Sequence, residues 1–400
     1  MKRKLIIVTK CFPYNLTEAF LESEIPYLKE YFDDIVFMPL LKGKVRPNFT
    51  GDIIDNSYAD LYEKRSLYCL QTILSIAFYK ALFVHGKKIF NKAFLTACFK
   101  QQVHKRILKK IINDSPSNFD KGTIVYSYWF NAPVYAFISL RDELKLCYKV
   151  ICRAHRWDVY DEHCEMPYRK YCIERIDKVF PISLDACKFF EKKYGYKEKY
   201  QLSRLGVARR NETAAKSVGS QFKILTISQT TKRKRIDLVL DIVERFAKEN
   251  PTIAVEWIHF GTGNMQTELC NRVRDIKLPN LTILIKGYVP NTEVMSFISN
   301  NGADVFVNLS SSEGVPVSIM EAQSFGIPVI ATNVGGSGEI VNERNGILLK
   351  ASPTIDEAYE ALKKVYASNY NRPAIKEDWE KCSCAETNFR QFVKQIEDIL

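Results

Sequence analysis

The chain has 400 residues, of which 46% are hydrophobic and 26% charged, and its formal net charge is +12. That length exceeds one ordinary core, so two domains of about 150–200 residues are expected, and the balance of apolar and charged residues excludes a wholly disordered chain. No apolar run reaches the roughly 18 residues that a spanning helix needs, and the eleven cysteines are scattered without a C-x-x-C, which suits reduced thiols in a cytoplasmic protein.

The opening "MKRKLIIVTK" holds only "LIIV" as an apolar run. That is too short for a signal peptide and reads as a first buried strand, Leu5–Thr9. A helix over Ala19–Phe32 follows, then strands at Asp34–Pro39, Ile124–Tyr128, Lys149–Arg153 and Lys178–Pro181. Between the second and third of these strands, Lys80–Ile112 carries nine Lys/Arg and no acid, interleaved with Phe83, Phe90, Phe94 and Phe99. A helix with one solvated and one core face fits this pattern, and so does a helix lying on an anionic bilayer.

A short apolar piece, Leu202–Val207, precedes the polar stretch Ala208–Gln221, which reads as a linker. Beyond it, "FKILTIS", "VEWIHFG", "LTILIKG", "DVFVNLS" and "PVIATN" read as strands. Helices are expected at Ile236–Glu249, Thr292–Asn300 and Val317–Phe325. Alternation of this kind predicts α/β architecture with parallel sheets. A last helix over Lys376–Leu400 places Phe389, Phe392, Val393, Ile396 and Ile399 at helical spacing.

Two carboxylates, Glu313 and Glu321, stand in the otherwise apolar "SSEGVPVSIMEAQSFGIPVIATNVGG". Pro316 suits a first helical turn. Glu313 therefore falls in the loop leaving a strand, and Glu321 on the helix that follows. Strand carboxyl ends and helix N-termini are where open α/β sheets bind ligands and anions. A helix-capping Glu313 and a surface Glu321 are the plainer alternative.

The run "EGVPVSIMEAQSFGIPVIATNVGGSGEIV", followed by "NGILL", resembles the signature of retaining nucleotide-sugar glycosyltransferases of the GT-B fold, glycosyltransferase family four. The resemblance implies two Rossmann-like doubly wound domains facing a cleft, with a C-terminal helix returning to the first domain. The implied division is 1–207 for the acceptor side, 208–221 for the linker, 222–375 for the nucleotide-sugar domain and 376–400 for the returning helix. In that helix Trp379 and Phe389 would be anchors.

The resemblance further implies that Glu313 faces the donor sugar, Glu321 the ribose, and Lys234 the diphosphate. Gln229 occupies the place of a family arginine, and Arg235 that of a family glycine; Arg235, Arg233 or Arg204 would supply the missing cation. Gly261 and Gly263 would let backbone approach the nucleotide, Tyr288 and Val289 would lie near its base, and Gly314, Val315, Pro316 and Val317 would meet anionic oxygens. In the first half His155 would stand by the sugar. Arg153, Arg156 and Asp158, with Asn15, Thr17 and Glu18 of the first loop, would serve the acceptor.

The function implied is transfer of a sugar, with retention, from a nucleotide-diphosphate sugar to a hydroxyl of a glycan or lipid-linked glycan in surface polysaccharide synthesis. UDP-sugars are favoured over GDP-sugars. No Asp-x-Asp occurs, so no metal and no further cofactor is expected. The expected place is the cytoplasm, with peripheral membrane contact through Lys80–Ile112. A nucleotide-sugar epimerase of the same fold, or a non-catalytic sugar- or nucleic-acid-binding protein, is the alternative, although the basic segment lacks a nucleic-acid motif.

Overall fold

Apolar runs buried on both faces become parallel strands, and in the computed structural model of the protein they do so twice. Residues 3–399 are described, apart from 16, 17, 19, 47, 48, 50, 51 and 161–165. One sheet holds β1 (Lys4–Thr9), β2 (Asp34–Pro39), β3 (Ile53–Ile54), β4 (Thr123–Ser127), β5 (Lys149–Ala154) and β6 (Lys178–Pro181), in the order β3-β2-β1-β4-β5-β6. The other holds β7 (Gln221–Ile227), β8 (Ala254–Phe260), β9 (Leu281–Gly287), β10 (Val305–Asn308), β11 (Val329–Thr332) and β12 (Gly346–Leu349), in the order β12-β11-β10-β7-β8-β9. Every pairing is parallel.

Counted within its own sheet, each order is third, second, first, fourth, fifth, sixth. This is the doubly wound Rossmann arrangement. It reverses direction between the first and fourth strands and leaves a crevice at their carboxyl ends. The protein is of the α/β class expected, with two such doubly wound units in one chain.

Successive side chains along a strand face opposite sides, and the first sheet separates two cores on that rule. Leu5 and Ile7 pack with Phe37, Ile124, Tyr126 and Leu21 on one face, while Ile6 and Val8 pack with Val125, Val150, Ile107 and Phe137 on the other. In the second unit Phe222 and Ile224 pack against Val239, Val243 and Phe246 of the helix Ile236–Glu249.

The chain divides into Met1–Ser203 with Phe389–Leu400, and Arg204–Asn388. Ala208–Gln221, read as a linker, is strapped along the second unit. Ala214 N–H donates to Phe325 O (2.9 Å), Lys376 Nζ donates to Arg210 O and Glu212 O (both 2.9 Å), and Ser217 N–H donates to Asp304 Oδ1 (2.9 Å). The tail is two helices rather than one, Arg372–Ser383 and Ala385–Glu397, separated by an extended Cys384. Trp379 is buried in the second unit. Phe389, Phe392 and Ile396 belong to the first, the latter two packing beside Tyr126 and Phe180.

The basic stretch is likewise several elements: the end of the helix Ile76–Phe83, a 3-10 turn Gly86–Phe90 and nearly all of a long helix Lys92–Asp114; the helices Ser57–Glu63 and Ser66–Ile73 precede it. Among the described residues no helix is long and apolar enough to cross a membrane.

Candidate active site

In the second unit the reversal point is built from two loops, one leaving β7 and one leaving β10. The first turns through a 3-10 segment, Lys232–Lys234, into the helix Ile236–Glu249. The second runs through Glu313 into the helix Val317–Ser324. The loops are stitched together: Ser311 N–H donates to Arg233 O (2.8 Å), and Arg233 Nη1 donates to Ser312 O (2.9 Å). That stitching sets Lys234 Nζ as donor to Glu313 Oε1 and leaves Arg233 Nη1 3.7 Å from Glu313 Oε2. Glu313 is buried, so its charge is met by two cations rather than by water.

Glu313 does not cap the following helix, which has no side-chain cap. Ile319 N–H donates to Pro316 O (3.1 Å), and among the described residues the Val317 and Ser318 amides are left as donors at the positive dipole end. Gly314, Val315 and Pro316 form the approach to that end, where Gly336 N–H closes on Gly314 O (2.5 Å). A helix start of this kind beside Lys234 suits anionic oxygens.

Glu321 lies half-buried on the same helix and accepts from Asn291 Nδ2 (2.7 Å). Burial pushes its carboxyl up to about 7, against the opposing Asn291 hydrogen bond and the Arg210 charge. Asn291 opens the helix Asn291–Asn301 just after Tyr288 and Val289, of which Tyr288 is exposed. Tyr288–Asn291 and Glu321 thus share one neighbourhood at the carboxyl end of β9.

Several expected donor contacts are arranged otherwise. Gly261 has φ 138, and a Cβ there would stand 1.8 Å from Ser228 O, while one on Gly263 would stand 2.3 Å from Thr230 O. These glycines admit the chain's own Ser228–Thr230 loop. Arg235 takes the left-handed conformation (φ 50, ψ 44), a backbone region that favours glycine. Its guanidinium turns to Ala351 O (2.8 Å) and Ser352 Oγ (3.3 Å), so it is not the substitute cation. Arg204 is paired with Glu339 Oε2 (2.9 Å). Arg233, at 3.7 Å from Glu313, is the cation that joins Lys234.

In the first unit His155 stands at the carboxyl end of β5, buried between the rings of Tyr128 (4.9 Å) and Trp129 (4.6 Å). Among the described residues neither ring nitrogen has a hydrogen-bond partner, and the Tyr128 hydroxyl also lacks one. Burial, with Arg153 adding, holds the imidazole down at about 3. It is a neutral ring with one donor and one acceptor unspent.

The residues expected around His155 on the acceptor side are mostly occupied. Arg153 is fully buried and gives its donors to Tyr126 Oη (2.9 Å), Ser203 O (2.8 Å) and Glu24 Oε2 (2.8 Å). It is a structural cation, not an acceptor contact. Asp158 is buried and accepts from Phe130 N–H (2.6 Å) and His155 N–H (2.5 Å), and burial raises its carboxyl to about 7. Glu18 is buried and accepts from the amides of Lys10 (2.9 Å), Cys11 (2.9 Å) and Phe12 (2.8 Å) and from Trp129 Nε1 (2.6 Å). It braces the first loop. Arg156 lies over the exposed Trp157 ring at 5.3 Å, and Asn15 is exposed. Thr17 lies outside the described residues.

Sequence reasoning missed Asn291 as the partner of Glu321. An asparagine opening a helix carries no signal for a contact 30 residues away. It also missed Glu339 as the partner of Arg204, although Glu339 is the acid of the quoted "GGSGEIV".

The family model for glycosyl transferases group 1 matches residues 209–381. The matched stretch covers most of the second unit, Arg204–Asn388. Among curated proteins, the putative colanic acid biosynthesis glycosyltransferase WcaL of Escherichia coli K12 is 26% identical over 192 residues, covering 46% of each chain. The O-antigen biosynthesis glycosyltransferase WbnH of Escherichia coli is 28% identical over 158 residues, covering 39% of this chain and 41% of its own. The chain thus spans about half the length of the curated relatives it matches. Among solved structures, the lipopolysaccharide outer core galactosyltransferase WaaB superposes with a TM-score of 0.73 at 13% identity, over 99% of this chain and 100% of that one. Anabaena HepE in complex with UDP gives 0.65 at 13% identity, over 100% of both. At such identities the likeness is one of fold.

Proposed function

We propose that the protein is a glycosyltransferase that moves a sugar from a nucleotide-diphosphate sugar to a hydroxyl of a glycan or lipid-linked glycan, in surface polysaccharide synthesis at the cytoplasmic side. The observation that carries this reading is the meeting of Lys234, Arg233 and Glu313 beside an uncapped helix start, at the carboxyl ends of β7 and β10. In the free protein Glu313 occupies the cations that a diphosphate would take. Donor binding would redistribute that charge, leaving Lys234 on the leaving group and Glu313 toward the sugar hydroxyls. Glu321 would accept from the ribose. A uridine base is preferred, since HepE, a likeness in fold, is solved with UDP and with UDP-glucose.

In the proposed reaction the bond from the anomeric carbon to the phosphate oxygen breaks and a bond to the acceptor oxygen forms on the same face. The acceptor proton passes to the departing phosphate oxygen. Negative charge grows on the diphosphate as it leaves, and a fixed cation with aligned amides stabilises that charge more than the bound ground state. A charge-assisted Lys–phosphate bond is of the stronger class. No metal is required by this scheme.

The test is turnover across a panel of nucleotide sugars, with and without a glycan acceptor. Acceptor-dependent transfer that persists in EDTA and collapses in Lys234→Ala supports the reading. Release of an epimerised free sugar, or full activity in Lys234→Ala, overturns it.

A further inference from the structure

The helices Ser66–Ile73 and Ile76–Phe83 each carry two apolar faces. One is spent on the fold: Tyr68 and Thr72, then Phe78 and Leu82, are buried. The other is not. Leu67, Leu70 and Leu74 recur at the spacing of one helix face, Ile76 and Phe83 do the same two turns on, and Phe90 ends the following 3-10 turn. All six are exposed, Leu74 at 73%, Phe83 at 79% and Phe90 at 84%. Of the twenty large apolar side chains exposed among the described residues, ten lie within residues 67–95. Single exposed leucines need no explanation, but a cluster of this size marks an interaction surface.

Charge selects the occupant. From Lys64 to Asn113 there are eleven Lys/Arg and no acid. On the long helix, Lys105 and Lys109 are engaged by Glu143, and Lys110 by Asp114. Those three lysines of the stretch Lys80–Ile112 are paired within the fold. Lys80, Lys87 and Lys92, beside the apolar ridge, are exposed and have no acidic partner among the described residues. Two copies meeting through this ridge would set like charges against each other. A bilayer rich in anionic lipid offers an apolar layer at the depth of the side chains and phosphates at the level of the lysines.

We propose that the ridge formed by Ser66–Ile73, Ile76–Phe83 and Gly86–Phe90 seats the protein on an anionic membrane. Leu70, Leu74, Ile76, Phe83 and Phe90 enter the boundary between headgroups and acyl chains, and Lys80, Lys87 and Lys92 lie on lipid phosphates. The contact is independent of the transferase reading, since none of these residues belongs to the candidate site.

Flotation of the full chain with phosphatidylcholine vesicles, with and without about one third phosphatidylglycerol, tests this. Binding to the anionic vesicles alone is expected. Leu74→Glu with Phe83→Glu should lower the partition coefficient at least tenfold. Lys80→Gln, Lys87→Gln and Lys92→Gln should each lower it about fivefold, the worth of one lysine near a charged surface. The milder Leu74→Ser with Phe83→Ser, with thermal unfolding unchanged, guards against loss of fold. UDP binding should survive in every variant. Failure of the unmodified protein to float, or flotation unaffected by these changes, overturns the proposal. So does a concentration-dependent dimer in sedimentation without lipid that Leu74→Glu dissolves, because a second copy would then be the occupant.

Discussion

The Glu18 carboxylate meets the Trp129 indole N–H at 2.6 Å, joining the loops that leave β1 and β4. In the second unit the loops leaving β7 and β10 are joined by Lys234 and Glu313. The two pairs occupy the same place in the strand order of their units, the reversal point where open α/β sheets bind ligands. In the first unit the acid is saturated by three backbone amides, and in the second it faces cations. The same topology is used once as a brace and once as a charged site.

Truncating Glu18 to Ala should therefore lower the stability of the first unit by about 3 kcal/mol, because buried amides lose their acceptor. Donor binding by the second unit should be retained. Urea unfolding followed beside UDP titration separates the two outcomes.

Lys234→Ala leaves Glu313 buried with only Arg233 at 3.7 Å. A stability loss of about 3 kcal/mol is expected from the stranded charge, with about 10²–10³-fold lower kcat from the lost stabilisation of the leaving group. Lys234→Met with Glu313→Gln should recover the stability and not the rate. Calorimetry and steady-state kinetics on the two variants and the parent check this.

Glu321 titrates near 7 in the free protein because burial disfavours its charge. In the proposed donor complex ribose hydroxyls would donate to the carboxylate, so the proton would have to leave before they bind. Affinity for UDP-glucose, whose diphosphate does not titrate in this range, should fall by up to about tenfold per pH unit below 7. Glu321→Gln should bind weakly at every pH and show no slope. Isothermal titration between pH 5.5 and 8 reads this out, and a flat profile in the unmodified protein would exclude Glu321 from the ribose.

Burial holds His104, His155 and His259 at about 4, 3 and 4. Unfolded histidine takes up its proton near about 6.5, so below that pH the unfolded chain binds more protons than the native one. Stability that is complete above pH 6.5 is lost as the pH falls toward the folded values, by about 2 kcal/mol per histidine at pH 5. Urea midpoints at pH 7.5 and 5 measure the loss. His259→Asn should remove the second unit's share only.

Arg235 holds a left-handed backbone that costs a non-glycine residue about 1–2 kcal/mol. Arg235→Gly should match or exceed the parent in thermal stability despite losing the bond to Ala351 O. Arg235→Val should fall below it. Donor affinity should follow neither change, because this guanidinium is turned away from Glu313.

Both sheets were legible from the chain because parallel strands buried on both faces read as uninterrupted apolar runs. β3 was not, since Ile53–Ile54 is too short to show a period, and neither was β12, whose four residues begin at a glycine. The helices between residues 57 and 90 escaped for a related reason: each is seven or eight residues long, and apolar residues on two faces blur the helical rhythm. At the candidate site, Lys234, Glu313 and Glu321 were reached through their likeness to a family, and the contact between the first two needed coordinates. Arg153 shows where sequence misleads. A cation at a strand end looks like a binding group until Glu24, 129 residues away, is seen to neutralise it inside the core.

Phe392 and Ile396 fill the same core as Leu5, Ile7 and Tyr126, and this orders events during synthesis. Residues 204–388 can fold as soon as they leave the ribosome, because their partners are already among them. The first unit, although made earlier, waits with part of one face of its sheet, beside Tyr126 and Phe180, uncovered until residues 389–399 emerge. At about 5–20 residues per second, that interval is on the order of ten seconds or more, and during it the earlier half is the one most exposed to chaperones and proteases.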